Sequence, residues 1–295
     1  MPTPIGVSFE FFPPQDVRSA SALERTIEQL APLSPAFVSV TCGAGGSVRS
    51  RTLDCVWRLQ HGTNLVIAPH LTCIDAAPGE VESIAKIYWA HGIRHIVALR
   101  GDLTQPPQVP ASVSPPGNRY KYASELVQAL RKTESFEILV AAYPEGHPES
   151  GLSADADIEN LRRKVDAGAT RAITQFFFDP YAFLRYRDRV AASGLRIPIV
   201  PGILPILSFS QLTGFAQRCG ATVPLWLLHR FDGLEADPDT RRMVAAHVVI
   251  DQVRRLREHG VDAFHFYTLN RPELTLAACH VLGVRPTKLQ TNQVA

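Results

Sequence analysis

Val66-Ile67-Ala68-Pro69-His70-Leu71-Thr72-Cys73 and His95-Ile96-Val97-Ala98-Leu99-Arg100 are near-continuous apolar runs, separated by a helix-period stretch that stops at Gly92. Strands buried on only one face alternate apolar and polar residues; strands covered on both faces do not. The pair therefore reads as two parallel strands, joined and covered on the outside by a helix. A glycine at the helix end supplies the left-handed backbone that a short helix-to-strand loop needs.

The same grammar repeats along the chain. Eight strands are expected: Val7–Phe12, Phe37–Cys42, Val66–Cys73, His95–Arg100, Glu137–Tyr143, Ala172–Phe178, Pro198–Leu204 and Phe264–Leu269. Gly168, Gly194 and Gly260 repeat the role of Gly92. The last long helix is expected to be capped by Asp237, with Pro238 in its first turn and a buried stripe of Met243, Ala246, Val249, Val253 and Leu256. Eight βα units favour an α/β fold of the closed (β/α)₈ TIM-barrel type, a single domain over residues 1–286 with a polar tail at 287–295. An open doubly wound sheet is the alternative, but no strand is followed by G-x-G-x-x-G. The nearest match, Gly43-Ala44-Gly45-Gly46, lacks the third glycine. Residues 103–119 carry five prolines after the fourth strand and would overhang the C-terminal mouth, as a lid or as a solvated loop.

Composition excludes several classes. The 295 residues are 45% hydrophobic and 20% charged, with a net charge of +2, so neither a nucleic-acid nor an anionic membrane partner is expected. No apolar run approaches the roughly 18 residues that span a bilayer, and the N-terminal residues do not resemble a signal peptide. Five scattered cysteines, with no C-x-x-C pair, fit a reducing cytoplasm better than a disulfide framework. No spacing matches a zinc motif and no G-x-S-x-G elbow exists, so neither a metal nor serine-hydrolase chemistry is expected.

Barrels gather their chemistry where strands end. Here those ends carry Glu10, Thr41, His70 and Thr72, then Arg100-Gly101-Asp102, Tyr143-Pro144-Glu145 with His147, Gln175, and Tyr267-Thr268-Leu269-Asn270-Arg271. Glu10 stands in the apolar segment Ser8-Phe9-Glu10-Phe11-Phe12, on one face with Ser8 and Phe12. Burial there is expected to raise its pKa and keep it protonated, as a general acid requires; a buried Glu paired with an arginine is the competing reading. Arg100 could clamp a phosphate or carboxylate, or form an ordinary loop ion pair. His70 reads as a hydrogen-bonded pocket histidine. After the fifth strand, Asp157, Asn160 and Lys164 share a helix face with Arg163 close by, either as a solvated surface or as a grip on a ribityl or pyrophosphate chain.

Taken together, Ser8–Pro14, Ala68–Cys73, Ala98–Asp102, Ala172–Asp179, Pro201–Pro205 and Phe266–Arg271 resemble the bacterial methylenetetrahydrofolate reductase family, in order and spacing, from about Val7 to Pro286. The resemblance implies a (β/α)₈ barrel that binds FAD non-covalently at its mouth. It also implies a ping-pong reaction in which NADH or NADPH reduces the flavin and 5,10-methylenetetrahydrofolate then accepts hydride, supplying methyl groups for methionine synthesis. Glu10 would be the acid that opens the folate ring, and Asp102 would tune the flavin and bind the pterin. Flavin contacts would be Thr41, Ala44, His70, Leu99, Arg100, Gly101, Asp102, Ala123, Tyr143, His147, Asp157, Asn160, Arg163 and Lys164. Folate would meet Gln175, Gln211, Phe215, Tyr267 and Arg271, and a homo-oligomer is implied.

Two features depart from the family pattern: Cys42 stands where a tyrosine is common, and the proline-rich loop is longer. Without a further domain beyond Pro286, inhibition by S-adenosylmethionine is not expected. Rival readings are a relative that oxidises methyltetrahydrofolate, a flavin-independent relative, and a non-catalytic folate- or flavin-binding protein. The presence of both Glu10 and Asp102 argues against the last.

Overall fold

Strand β1 (Gly6–Phe11) pairs in parallel with both the second strand and the last, and from it the sheet runs round to close on itself. The computed structural model of the chain describes residues 4–42, 46–74, 76, 78–101, 120–151, 153–206 and 208–287. Among them strands and helices alternate: α1 (Val17–Leu30), β2 (Phe37–Val40), α2 (Gly46–Gly62), β3 (Ile67–Thr72), α3 (Pro78–Ala90), β4 (His95–Leu99), α4 (Ala123–Thr133), β5 (Glu137–Ala142), α5 (Ala154–Asp166), β6 (Arg171–Thr174) and α6 (Pro180–Ala192). Then come β7 (Ile199–Val200), β8 (Gly202–Ile203), α7 (Phe209–Cys219), α8 (Leu225–Phe231), α9 (Pro238–Glu258), β9 (Ala263–Tyr267) and α10 (Glu273–Val281).

All described pairings are parallel, in the order β7-β6-β5-β4-β3-β2-β1-β9-β8. The two ends of that order are one stretch of chain, interrupted only at Pro201, so the ring is an eight-position barrel. The seventh expected strand is thus two short ones, for a physical reason: proline has no N–H to give to the ladder. Its carbonyl still accepts from His265 N at 3.0 Å, which keeps the ring closed. Gly202 fits the same joint because a Cβ there would lie 2.1 Å from the Thr174 carbonyl and 2.6 Å from the Tyr267 ring.

Strand alternation separates two cores. Val7, Phe9 and Phe11 point outward and are buried under the helices, each such side chain contributing roughly 1.5–3 kcal/mol. Phe37, Ala68, Val97, Leu139 and Ile173 plug the barrel interior. Ser8 and Glu10 point inward with them, and Glu10 lies one pleat nearer the C-terminal mouth, in register with Ser39 and Tyr267. A filled interior leaves the mouth as the place for a ligand.

The helix-ending glycines behave as expected: Gly92, Gly168, Gly194 and Gly260 all have positive φ. Asp237 caps α9, accepting from Thr240 N at 3.0 Å. Its buried stripe, however, is Ala245, Val248, Val249, Gln252, Val253 and Leu256, while Met243 is 65% exposed and Ala246 only half-buried. The stripe is phased by the i, i+3, i+4 steps from Ala245, and Gln252 earns its buried place by donating to the Phe177 carbonyl at 2.6 Å. The sixth strand also stops early. After Gln175 N bonds to the Ala142 carbonyl the chain turns away, and Phe176 and Phe177 stack on Phe215 and Phe183 instead of continuing the ladder.

Candidate active site

Glu10 is mounted more firmly than its strand position alone would require. Its carbonyl accepts from Thr268 Oγ1 at 2.6 Å. The next residue but one, Phe12, is clamped by Asn270 in both directions: Phe12 N donates to Oδ1 and Nδ2 donates to the Phe12 carbonyl, each at 2.9 Å. Asn270 reaches that position because it and Leu269 adopt left-handed backbone, φ 54° and 51°. Strain of this kind in a leucine, about 1–3 kcal/mol, persists where the surroundings over-determine it.

Two imidazoles face the carboxylate. His70 Nε2 from β3 lies 3.3 Å from Oε2, and His265 Nε2 from β9 lies 3.9 Å from the same oxygen. The second distance is an ion-pair approach and too long for a full hydrogen bond, so His70 is the tighter partner. Behind it, His265 Nδ1 meets Ser8 Oγ at 2.8 Å. Ser39 Oγ, in register with Glu10, is buried and has no hydrogen-bond partner among the described residues.

These neighbours reverse the expected electrostatics. Burial raises the Glu10 carboxyl, as the sequence implies, but hydrogen bonding and charge from His265 and His70 outweigh it and hold the group at about 2. Glu10 is therefore ionised at neutral pH, and its partner is a pair of histidines and not an arginine. His265 in turn is pushed down by burial, with Glu10 opposing.

A second polar cluster lies where β4 and β5 end. Both Nη atoms of Arg100 donate to the Glu149 carboxylate, so the loop ion pair is formed. Asp157, buried on α5, accepts from His147 N at 2.6 Å. Lys164 turns its Nζ inward to the Ala141 carbonyl at 2.8 Å, and sits 5.8 Å over the Tyr143 ring, which packs edge-on against His147. Burial pushes the Lys164 ammonium down to about 8, against the pull of Asp157. Gly101 has φ +90°, and a Cβ there would lie 2.7 Å from Ile74 Cγ2.

Asn160 is half-buried on this same helix, but Arg163 is exposed and pairs with Glu159 at 3.4 Å, so it stands outside the cluster. Thr41 and Leu99 are half-buried at their strand ends and Ala123 is buried at the start of α4. Ala44, Asp102 and the loop 103–119 lie outside the described residues, as does the Gln211 side chain.

Across the mouth, Tyr267 donates its hydroxyl to the Thr174 carbonyl at 2.7 Å. Gln175 Oε1 accepts from Phe176 N at 3.0 Å. Phe215 on α7 stacks on Phe176, 5.2 Å between centroids and 14° from parallel. Arg271 is exposed and, with Arg18, Arg25 and Arg242, lines a cavity of about 610 Å³ beside the ends of β1 and β9. Singling out His265 required knowing that β9 is β1's neighbour; its placement two residues before Tyr267, on the same inward face, was the available signal.

Comparison with known proteins identifies the family. A family model described as methylenetetrahydrofolate reductase matches residues 3–283. The chain is 51% identical to the 5,10-methylenetetrahydrofolate reductase of Escherichia coli (strain K12), over 96% of this chain and 92% of that one. Identity is 44% to the enzyme of the same name from Buchnera aphidicola subsp. Schizaphis graminum, covering 95% and 92%. An Arabidopsis thaliana methylenetetrahydrofolate reductase (NADH) 1 is 30% identical over 94% of this chain and 48% of its own length. Among solved structures, an uncharacterised Clostridium thermocellum protein that binds two copies of 5-methyl-5,6,7,8-tetrahydrofolic acid shares the fold, with a TM-score of 0.61 at 12% identity, covering 95% and 94%.

Proposed function

The chain belongs to the methylenetetrahydrofolate reductase family, so its reaction is the reduction of methylenetetrahydrofolate; on that premise we propose an FAD-dependent, two-stage reaction at the barrel mouth, with Glu10 as the acid. NADH or NADPH is the electron donor in this reading, and the product is 5-methyltetrahydrofolate, a methyl source for methionine synthesis. The observation that carries it is the inward carboxylate of Glu10, anchored on both sides and aimed at the mouth between two imidazoles.

The residues beside β4 and β5 fit a flavin dinucleotide. Arg100 has a guanidinium fork that pairs with the Glu149 carboxylate and would suit a phosphate in its place, Lys164 places a second cation behind it, and Gly101 gives the strand end a left-handed turn, with Thr72 and Ile74 packed against it. His70, Tyr143, His147, Asp157 and Asn160 would complete the grip, with Asp102 near the reacting ring. When bound, FAD supplies the hydride that the folate accepts.

Glu10 supplies the proton. The neutral five-membered ring of methylenetetrahydrofolate is a poor hydride acceptor. Protonating the departing nitrogen opens it to an iminium carbon, which is a good one. An ionised Glu10 must first gain a proton. Burial is already the largest influence on this carboxyl and acts to raise it. Covering the mouth with a neutral pterin removes more water and pushes in the same direction. Gln175 and Gln211 would pair with pterin edges, Phe215 would stack on the substrate, and Arg271 would meet its carboxylates.

We place the protein in the cytoplasm, where its five cysteines would stay reduced. The direct test is the anaerobic spectrum of the purified protein. It should be yellow, bleach with NADH or NADPH, and recover its colour when methylenetetrahydrofolate is added. A colourless protein that still turns over removes the flavin from the scheme.

A further inference from the structure

We propose that His265 is the positioning residue for Glu10, and that Ser8 in turn fixes the His265 ring. The inference rests on the reading of Glu10 as the acid.

His265 is 1% exposed, in the barrel interior below the mouth. Burying an imidazole costs free energy unless its nitrogens find partners, and a leucine or phenylalanine would fill the same space without that cost. Both nitrogens do have partners, on opposite sides of the ring. Nε2 faces the Glu10 carboxylate at 3.9 Å, and Nδ1 meets Ser8 Oγ at 2.8 Å.

The partners decide the tautomer. An ionised carboxylate only accepts, so the nitrogen facing it carries the proton, and Nδ1 is left to accept the Ser8 hydroxyl. The alternative acceptor for that hydroxyl, the Phe264 carbonyl, is farther away at 3.4 Å. Ring orientation is set as well. Phe37 stacks at 5.7 Å and 16°, and Tyr267 meets the ring edge-on at 5.3 Å and 86°.

Other groups facing Glu10 do not duplicate this role. His70 on β3 is closer but less buried, at 9% exposure, and belongs to the residues proposed to meet the flavin. Tyr267 on β9 commits its hydroxyl to the Thr174 carbonyl, and Ser39 on β2 offers a hydroxyl without a charge. His265 is thus the core-side partner, whose contacts are confined to the barrel wall and persist whatever occupies the mouth. The Ser8 hydrogen bond at 2.8 Å orients the ring, and the ring in turn points its Nε2 at Glu10 across 3.9 Å, an electrostatic approach that holds the carboxylate toward the substrate.

Two substitutions separate the contacts, because asparagine places its amide near the Nδ1 position and glutamine near Nε2. With the protein reduced beforehand, His265→Asn should slow the folate half-reaction on the order of 10²-fold, the cost of a misplaced catalytic group. It should also shift the descending limb of the pH profile to higher pH, because a group that lowers Glu10 has been removed and burial acts unopposed. His265→Gln should recover most of the rate, and nicotinamide-driven bleaching should be unchanged in both. Ser8→Ala, which frees the ring, should show the same pH shift at smaller size and carries the test if His265→Asn does not fold. An unshifted profile in both His265→Asn and Ser8→Ala overturns the proposal, as does a His265→Gln protein no better than His265→Asn. Glu10→Gln, measured alongside, keeps the two readings apart. If it retains the folate step, the acid assignment fails; if it loses that step while the His265 variants behave as wild type, only the positioning role fails.

Discussion

Replacing Glu10 by glutamine and then acidifying both proteins isolates the free energy held in the buried carboxylate. Folding lowers this group from the ordinary 4.5 to about 2. At about 1.4 kcal/mol per pH unit the shift corresponds to about 3 kcal/mol of stability. A carboxyl depressed by folding contributes fully above its unfolded value, and the contribution is lost as pH falls through the folded one. The loss therefore begins near 4.5, and about 2 kcal/mol of it is gone by pH 3. Urea denaturation at pH 6, 5, 4 and 3, followed by circular dichroism, reads the effect as a difference between wild type and Glu10→Gln. Wild type should lose about 2 kcal/mol more than the variant over that range. A constant difference would mean that the imidazoles do not hold the carboxylate. Relative gain by wild type on acidification would mean a raised pKa, as burial alone dictates.

Gly202→Ala should destabilise the barrel by about 3 kcal/mol, seen as a lower thermal midpoint, because the new Cβ meets the Thr174 carbonyl at 2.1 Å where β8 closes the ring. A midpoint within error of wild type would show that this joint relaxes freely. Lys164, pushed down to about 8, is charged below that pH and neutral above it. FAD retention, read by ultrafiltration and absorbance of the filtrate, should therefore fall as pH rises through 8. Lys164→Arg, which does not lose its charge there, should flatten the curve, and retention that is flat in the wild type would remove Lys164 from the grip.

Much of the architecture was legible because it depends on local chemistry. Apolar runs covered on both faces mark parallel strands, and the glycines at 92, 168, 194 and 260 end helices wherever the chain sits in the fold. Details set by tertiary packing were less accessible. The break at Pro201, the early exit of Phe176 and Phe177 from the sixth strand, and the exposure of Met243 each depend on which neighbour packs against the segment. The site divides in the same way. Glu10 stands out in sequence as a lone charge in an apolar strand, and that identification needs no neighbours. The sign of its pKa shift does need them, since His70 and His265 arrive from β3 and β9 and reverse what burial dictates. Arg163 shows the complementary case: adjacent to Lys164 in sequence, it is exposed and pairs with Glu159, because successive helical residues face about 100° apart.

The most direct test of the whole account separates the two half-reactions of Glu10→Gln under anaerobic stopped flow. Glutamine preserves shape and removes the transferable proton. Bleaching by NADH or NADPH should proceed as in wild type, and reoxidation by methylenetetrahydrofolate should be slower by about 10²–10⁴-fold, the usual contribution of a general acid. Reoxidation at the wild-type rate would contradict the assignment of Glu10 as the proton donor.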